Sequence, residues 1–110
     1  MRVLTPLPQD DLVDVPAAAR AAEAAGYDGI VTMENRNEPF LALGVAAVAT
    51  SRVELHTGIA IAFARSPMIS AEIAWELAQN TGGKFRLGLG SQVKAHITRR
   101  YASQFDKPAV

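Results

Sequence analysis

The chain has 110 residues and a mass of 11.7 kDa, and its 49% hydrophobic and 20% charged residues are typical of one globular domain. Eleven basic and eleven acidic side chains balance, which argues against a polybasic nucleic-acid binder, and the lack of cysteine excludes disulfides and thiol catalysis. There is no signal-like leader and no apolar run near the roughly 18 residues that a bilayer span requires. The sequence therefore predicts a cytoplasmic protein without nucleic-acid or membrane partners.

Charge is distributed unevenly along this single predicted domain. Residues 1–83 hold five basic and ten acidic side chains, whereas residues 84–110 hold six basic and one acidic. We divide the chain into strand and helix repeats over residues 1–91 and a basic tail over residues 92–110. The basic strip is either a solvated face or a site for an anion such as phosphate or carboxylate.

The first half of the chain alternates between strand-like and helix-like segments. Residues 2–5 form a short predicted strand that ends at two prolines. Asp14 is expected to cap a helix that stops at Gly26, and residues 28–33 read as a buried strand. Residues 39–50 predict a second helix that is apolar nearly all round, so it must be covered on most sides.

The second half continues the same alternation. Residues 53–64, rich in β-branched side chains, predict a third strand, and residues 85–89 predict a fourth. Between them, Ser66 and Pro67 predict the N-cap and first turn of a third helix, which the glycines at 82 and 83 close. Strand starts near residues 2, 28, 53 and 85 are spaced as strand plus returning helix, which is typical of a parallel sheet.

Two parallel architectures fit this repeat, a doubly wound open sheet and a barrel of the triosephosphate isomerase type. A complete barrel needs about 250 residues, so this chain has the length of roughly half of one. In either architecture ligands collect at the carboxyl ends of the strands. The polar residues that follow the predicted strands are therefore candidates for a site: Glu34, Asn35, Arg36, Asn37, Glu38, Arg65, Ser66, Ser91, Gln92, Lys94 and His96.

Familiar catalytic patterns find little support in the sequence. A dinucleotide-binding fingerprint around Gly88 and Gly90 fails because Val93 stands where its third glycine belongs. His56 lies in mid-strand between apolar neighbours, which favours a hydrogen-bonded structural role over a catalytic base. His96 lies beside basic residues that favour its neutral form. Histidines and carboxylates show no metal-ligand spacing, so no metal site is predicted.

Three segments of the chain carry a family resemblance: residues 26–30, residues 57–67 and residues 82–97, the last followed by two arginines at 99 and 100. Together they resemble the luciferase-like monooxygenase superfamily, in particular its oxidoreductases that use the deazaflavin coenzyme F-420. The resemblance covers essentially the whole chain. It implies a parallel α/β fold that forms the N-terminal half of a (β/α)8 barrel, with about four strands and three helices. It also implies a flavin- or deazaflavin-dependent oxidoreductase or monooxygenase with FMN or coenzyme F-420 as cofactor.

By this resemblance, matching positions acquire candidate roles. Glu34 occupies the place of a polar active-site residue and is the candidate catalytic residue. The segment Thr57, Gly58 and Ile59 resembles the wall behind the cofactor ring, where the family often has a bulge or a non-prolyl cis peptide. Ser91 and Gln92 match the end of the fourth strand, which lines the same pocket. The cofactor carries the hydride in this chemistry, so no side-chain triad is expected.

The length of the chain departs most from the family pattern. Half of a barrel leaves two sheet edges and an apolar inner face exposed. The sequence therefore predicts a homo-oligomer that acts on a small molecule, whose identity the sequence does not give. The alternative is a non-catalytic half-barrel remnant that serves as an oligomeric or partner-binding module.

Overall fold

The computed structural model describes residues 1–91, and they form a parallel α/β unit with a four-stranded sheet and three helices. The main sheet consists of β1 (Leu4–Pro6), β2 (Gly29–Thr32), β3 (Glu54–Thr57) and β5 (Phe85–Arg86), in that spatial order and all parallel. Two short strands, β4 (Ala60–Ile61) and β6 (Leu89–Gly90), form a separate parallel pair. The predicted parallel β/α repeat is confirmed.

Three helices connect the strands of the main sheet: α1 (Val15–Ala24), α2 (Pro39–Ala49) and α3 (Pro67–Asn80). Short 3-10 turns at Leu12–Asp14 and Ala62–Ala64 precede α1 and α3. None of the helices in the described part of the chain is long and apolar enough to cross a membrane. The basic tail at residues 92–110, including His96, lies outside the described residues.

One hydrophobic core joins the helices to one face of the sheet. Ile30, Leu55 and Phe85 project from three neighbouring strands into a cluster with apolar residues of all three helices. The expectation that α2 is covered on most sides is wrong. Its Phe40, Ala42, Leu43, Ala46 and Ala47 are buried in that cluster, but Leu41 and Val48 on the opposite side are 61% and 83% exposed. This packing fixes the strands relative to each other and therefore fixes the loops at their carboxyl ends.

The structure corrects the prediction that Asp14 caps α1. The helix does begin directly after Asp14, but the side chain accepts no hydrogen bond from the first turn. The preceding 3-10 turn gives Asp14 a helical backbone, whereas a capping side chain needs an extended one. The other helix limits are confirmed: Ser66 Oγ accepts from Ile69 N at 3.2 Å, and Gly26 follows α1 with a φ of 92°.

The predicted third and fourth strands are each divided in two. The third ends at Thr57 and resumes as β4 at Ala60, and the peptide bond between Gly58 and Ile59 is cis. The fourth is divided in the same way into β5 and β6. Because β4 pairs with β6 and β3 pairs with β5, the two interruptions lie side by side at the carboxyl ends of the main strands.

Candidate functional site

The candidate site lies where β2 and β3 end, and its central side chain is Glu34. Only 2% of this residue is exposed. Its backbone N–H donates to the carbonyl of Ile59 at 3.1 Å, and its carboxylate Oε1 accepts from Ile61 N at 2.6 Å. Glu34 is thus bonded to the backbone on both sides of Ala60, which ties the end of β2 to the segment that follows β3.

The second charged group of the site is Arg65, whose side chain is 13% exposed. Its guanidinium meets Glu34 through two contacts, Nη1 to Oε1 at 3.0 Å and Nη2 to Oε2 at 2.7 Å. Arg65 Cζ also lies 5.0 Å from the ring centroid of Phe40, and Nη2 lies 3.5 Å from Glu38 Oε2. Two parallel contacts between planar groups fix the orientation of the guanidinium relative to the carboxylate, in addition to the attraction between their charges.

The predicted wall residues lie beside this ion pair. Thr57 is buried, and its hydroxyl donates to the carbonyl of Gly88 at 2.9 Å and accepts from Gly88 N at 2.8 Å. Gly58 is exposed and donates its N–H to the carbonyl of Thr32 at 2.7 Å. The cis bond from Gly58 to Ile59 is the feature that the family resemblance anticipates at this position.

Glycines allow the last strand to approach this wall closely. A Cβ atom at Gly88 would lie 2.4 Å from the carbonyl oxygen of Thr57, and one at Gly90 would lie 1.9 Å from Ile59 Cδ1. These glycines therefore serve packing within the protein, in addition to any room they leave for a ligand. Ser91 follows β6 directly and is half-buried, whereas Gln92 lies outside the described residues.

Two side chains at the carboxyl ends of the strands have contacts that the sequence does not predict. Arg65 is among the polar candidates there, but its pairing with Glu34 is not predicted. The Gln9 amide donates to the carbonyl of Met33 at 3.0 Å and accepts from Met33 N at 2.9 Å, and no motif points to it. Opposite charges at neighbouring strand ends, Glu34 and Arg65, are the signal in the sequence that could have indicated the ion pair.

His56 has the structural role that its position predicts. Its Nε2 lies 3.0 Å from Oε1 of Glu54 on the face of the sheet away from the helices. The His56 hydrogen bond lowers the pKa of the Glu54 carboxyl, and Arg2 and Arg86 add to this effect against a smaller opposing one from desolvation. Within residues 1–91, no three histidine or acidic side chains converge on a possible metal site.

Comparison with protein-family models matches residues 2–109 to the family of luciferase-like monooxygenases. The chain belongs to this family. An uncharacterised protein of Mycobacterium tuberculosis is 47% identical over 97 residues, which are 83% of this chain and 28% of that protein. The 5,10-methylenetetrahydromethanopterin reductase of Methanolobus tindarius is 29% identical over 76% of this chain and 26% of its own length.

Solved structures give the same fold. The coenzyme F-420-dependent tetrahydromethanopterin reductase of Methanopyrus kandleri superposes with a TM-score of 0.77 at 26% identity, over 89% of this chain and 29% of that one. A type II Baeyer–Villiger monooxygenase component of Pseudomonas putida, solved with FMN, gives a TM-score of 0.75 at 16% identity, over 90% and 32%. The chain therefore spans about a quarter to a third of these proteins and builds part of a (β/α)8 barrel.

Proposed function

We propose that this chain supplies the part of a flavin- or deazaflavin-dependent oxidoreductase that backs the cofactor ring. The observation that carries the proposal is the wall formed by Thr57, Gly58 and Ile59, which includes an exposed glycine at the carboxyl end of a parallel strand. Family membership and the F-420-dependent and FMN-bound neighbours support it. Such a cofactor carries the hydride, so the protein has to bind it, orient it and exclude water.

The wall residues fit a flat ring on chemical grounds. Gly58 presents backbone without a side chain, and Ile59 adds a half-buried apolar surface beside it. The interlocked bonds between Thr57 and Gly88 hold this surface in place before any ligand arrives. Ser91 and Gln92 are the proposed hydrogen-bonding residues at the end of the last strand, and Glu34 is the proposed polar group of the site.

Titration of the purified protein with FMN and with coenzyme F-420 tests this proposal. We expect saturable binding of at least one of them, followed by the change in cofactor absorbance or fluorescence. Ile59→Ala should weaken that binding by about threefold to tenfold because it removes apolar contact with the ring. Ile69→Ala is the matched control, since Ile69 is 46% exposed on α3 and belongs to another surface.

The alternative function is a non-catalytic half-barrel remnant that serves as an oligomeric or partner-binding module. This alternative predicts that neither cofactor binds at any concentration reached, while the protein remains folded. If a cofactor binds and Ile59→Ala leaves its dissociation constant unchanged, the protein is a cofactor binder, but Thr57, Gly58 and Ile59 do not form the wall behind the ring.

A further inference from the structure

The buried pair of Glu34 and Arg65 shares its contacts with the proposed cofactor wall. Glu34 accepts hydrogen bonds from Ile61 N and from two guanidinium nitrogens, so its oxygens face donors from two directions. In this arrangement the Glu34 carboxylate is the acceptor in all three hydrogen bonds. Its hydrogen bonds to the backbone of Ile59 and Ile61 link the end of β2 to the wall.

Arg65 is itself held from several sides. The Phe40 ring lies against its guanidinium, Ile61 O accepts from Nη1 at 3.4 Å, and Glu38 lies at its rim. Phe40 is a core residue of α2 and only 6% exposed, so one side of the guanidinium rests on a fixed surface. The contact with Phe40 of α2 therefore fixes the Arg65 guanidinium, which in turn holds the Glu34 carboxylate in hydrogen-bonding position for Ile61 N.

We propose that Arg65 is a positioning residue of the cofactor site: through Glu34 it fixes the backbone at Ile59, the last wall residue, and at Ile61, without contacting the cofactor. Its effect on cofactor affinity rests on the proposed function, whereas its effect on the wall backbone does not. Loss of the guanidinium leaves a carboxylate buried among fewer donors. The carboxylate must then turn toward water or recruit it, and either change loosens the bond to Ile61 N.

Amide hydrogen exchange measured by NMR tests the positioning role directly. In Arg65→Gln the Ile61 amide should exchange about tenfold faster or more, whereas the Leu55 amide should keep its rate. Leu55 is the internal reference because its N–H donates to the carbonyl of Lys84 within the main sheet. Arg65→Lys should show an intermediate rate at Ile61, since the charge remains and the two-pronged geometry is lost.

The matched control is Arg20→Gln, which removes the same charge from an exposed residue of α1, outside the site. It should change neither amide. Unchanged exchange at Ile61 in Arg65→Gln would overturn the proposal, and so would equal acceleration at Ile61 and Leu55, which indicates general destabilisation. If Arg65→Gln does not fold, the same comparison is made on Arg65→Lys.

Cofactor titration of the same variants completes the test. We expect Arg65→Gln to raise the dissociation constant about tenfold, Arg65→Lys to restore part of the affinity, and Arg20→Gln to leave it unchanged. An unchanged constant in Arg65→Gln with a faster Ile61 amide would overturn the link to the cofactor. If the unmodified protein binds neither FMN nor coenzyme F-420, the proposed function fails, and exchange at Ile61 still decides whether Arg65 positions the wall.

Discussion

At the scale of single residues, the hydroxyl of Ser66 illustrates how one atom defines a helix end. It accepts the otherwise unpaired N–H of Ile69 in the first turn of α3. We expect Ser66→Ala to lower the free energy of unfolding by about 1 kcal/mol. Urea titration followed by circular dichroism measures the change. Ser51→Ala, at an exposed loop serine, should stay within about 0.5 kcal/mol of the parent, and an equal loss in both variants would reject the capping role.

Replacing glycine by alanine should have opposite effects on stability at two positions, Gly88 and Gly44. A Cβ at Gly88 would meet the backbone oxygen of Thr57 at 2.4 Å, whereas a Cβ at Gly44 in α2 has open space around it. Gly88→Ala should therefore destabilise the protein by about 1–3 kcal/mol, because the backbone cannot move without breaking the Thr57 bonds. Gly44→Ala should stabilise it by about 0.5–1 kcal/mol through helix propensity. Thermal and urea unfolding that show both changes with the same sign would contradict this packing argument.

At the scale of secondary-structure elements, Glu23 at the end of α1 holds the chain where it enters β3. Its carboxylate accepts from the backbone N–H groups of Ser51, Arg52 and Val53. Burial alone raises the pKa of Glu23, but the hydrogen bonds from Arg52, Ser51 and Val53 outweigh it and lower the pKa below its usual value. The carboxylate form is therefore the one that stabilises the junction between α1 and β3.

This lowered pKa gives the Glu23 junction a defined pH dependence. The stabilisation is complete above the pKa of the unfolded chain and is lost as the pH falls through the lower pKa of the folded protein. Glu23→Gln should lower the free energy of unfolding by about 1–2 kcal/mol near pH 7, and by less near pH 3. Urea titrations at both pH values measure this difference. Glu72→Gln, on the exposed surface of α3, is the control, and an effect of Glu23→Gln that is equal at both pH values would reject the mechanism.

The strands show which parts of the fold local sequence can predict. The apolar run at residues 28–33 located β2, whose side chains are mostly buried. In β3 the half-buried Glu54 and His56 alternate with the buried Leu55 and Thr57. The local sequence of residues 53–64 does not predict the break at Gly58 and Ile59. The neighbouring backbone contacts Gly88 and Glu34, which are about thirty residues away along the chain. The family resemblance implies a bulge or cis peptide at this position, and the cis bond lies there, but the ion pair from Glu34 to Arg65 is a long-range contact that required the structure.

At the scale of the whole molecule, the face of the sheet away from the helices differs in character from the expected apolar surface. Arg2 and Arg86 lie on either side of Glu54, at 2.8 and 3.8 Å from its Oε2, and His56 completes this concave-face cluster. The arginine side chains are 63% and 49% exposed. In a closed barrel this face would turn inward, away from solvent.

We predict that the protein forms a homo-oligomer through this concave face, with a two-fold pair as the simplest arrangement. Each copy then brings two guanidinium groups and one carboxylate to the shared surface, so like charges oppose association. Salt screens that repulsion, and light scattering should give a larger mass at about 0.5 M salt than at about 0.05 M. Arg86→Gln should reduce this salt dependence, because it removes one cation of the concave-face cluster.

Trp75→Gln is the control for the opposite surface, since Trp75 is 70% exposed on α3. It should leave the mass and its salt dependence unchanged, because the helices face away from the concave-face cluster. If Trp75→Gln abolishes assembly, the helices form the interface and the sheet does not. A mass of 11.7 kDa at every micromolar concentration and salt level would reject the homo-oligomer, and the charged face would then be stable in water without a covering copy.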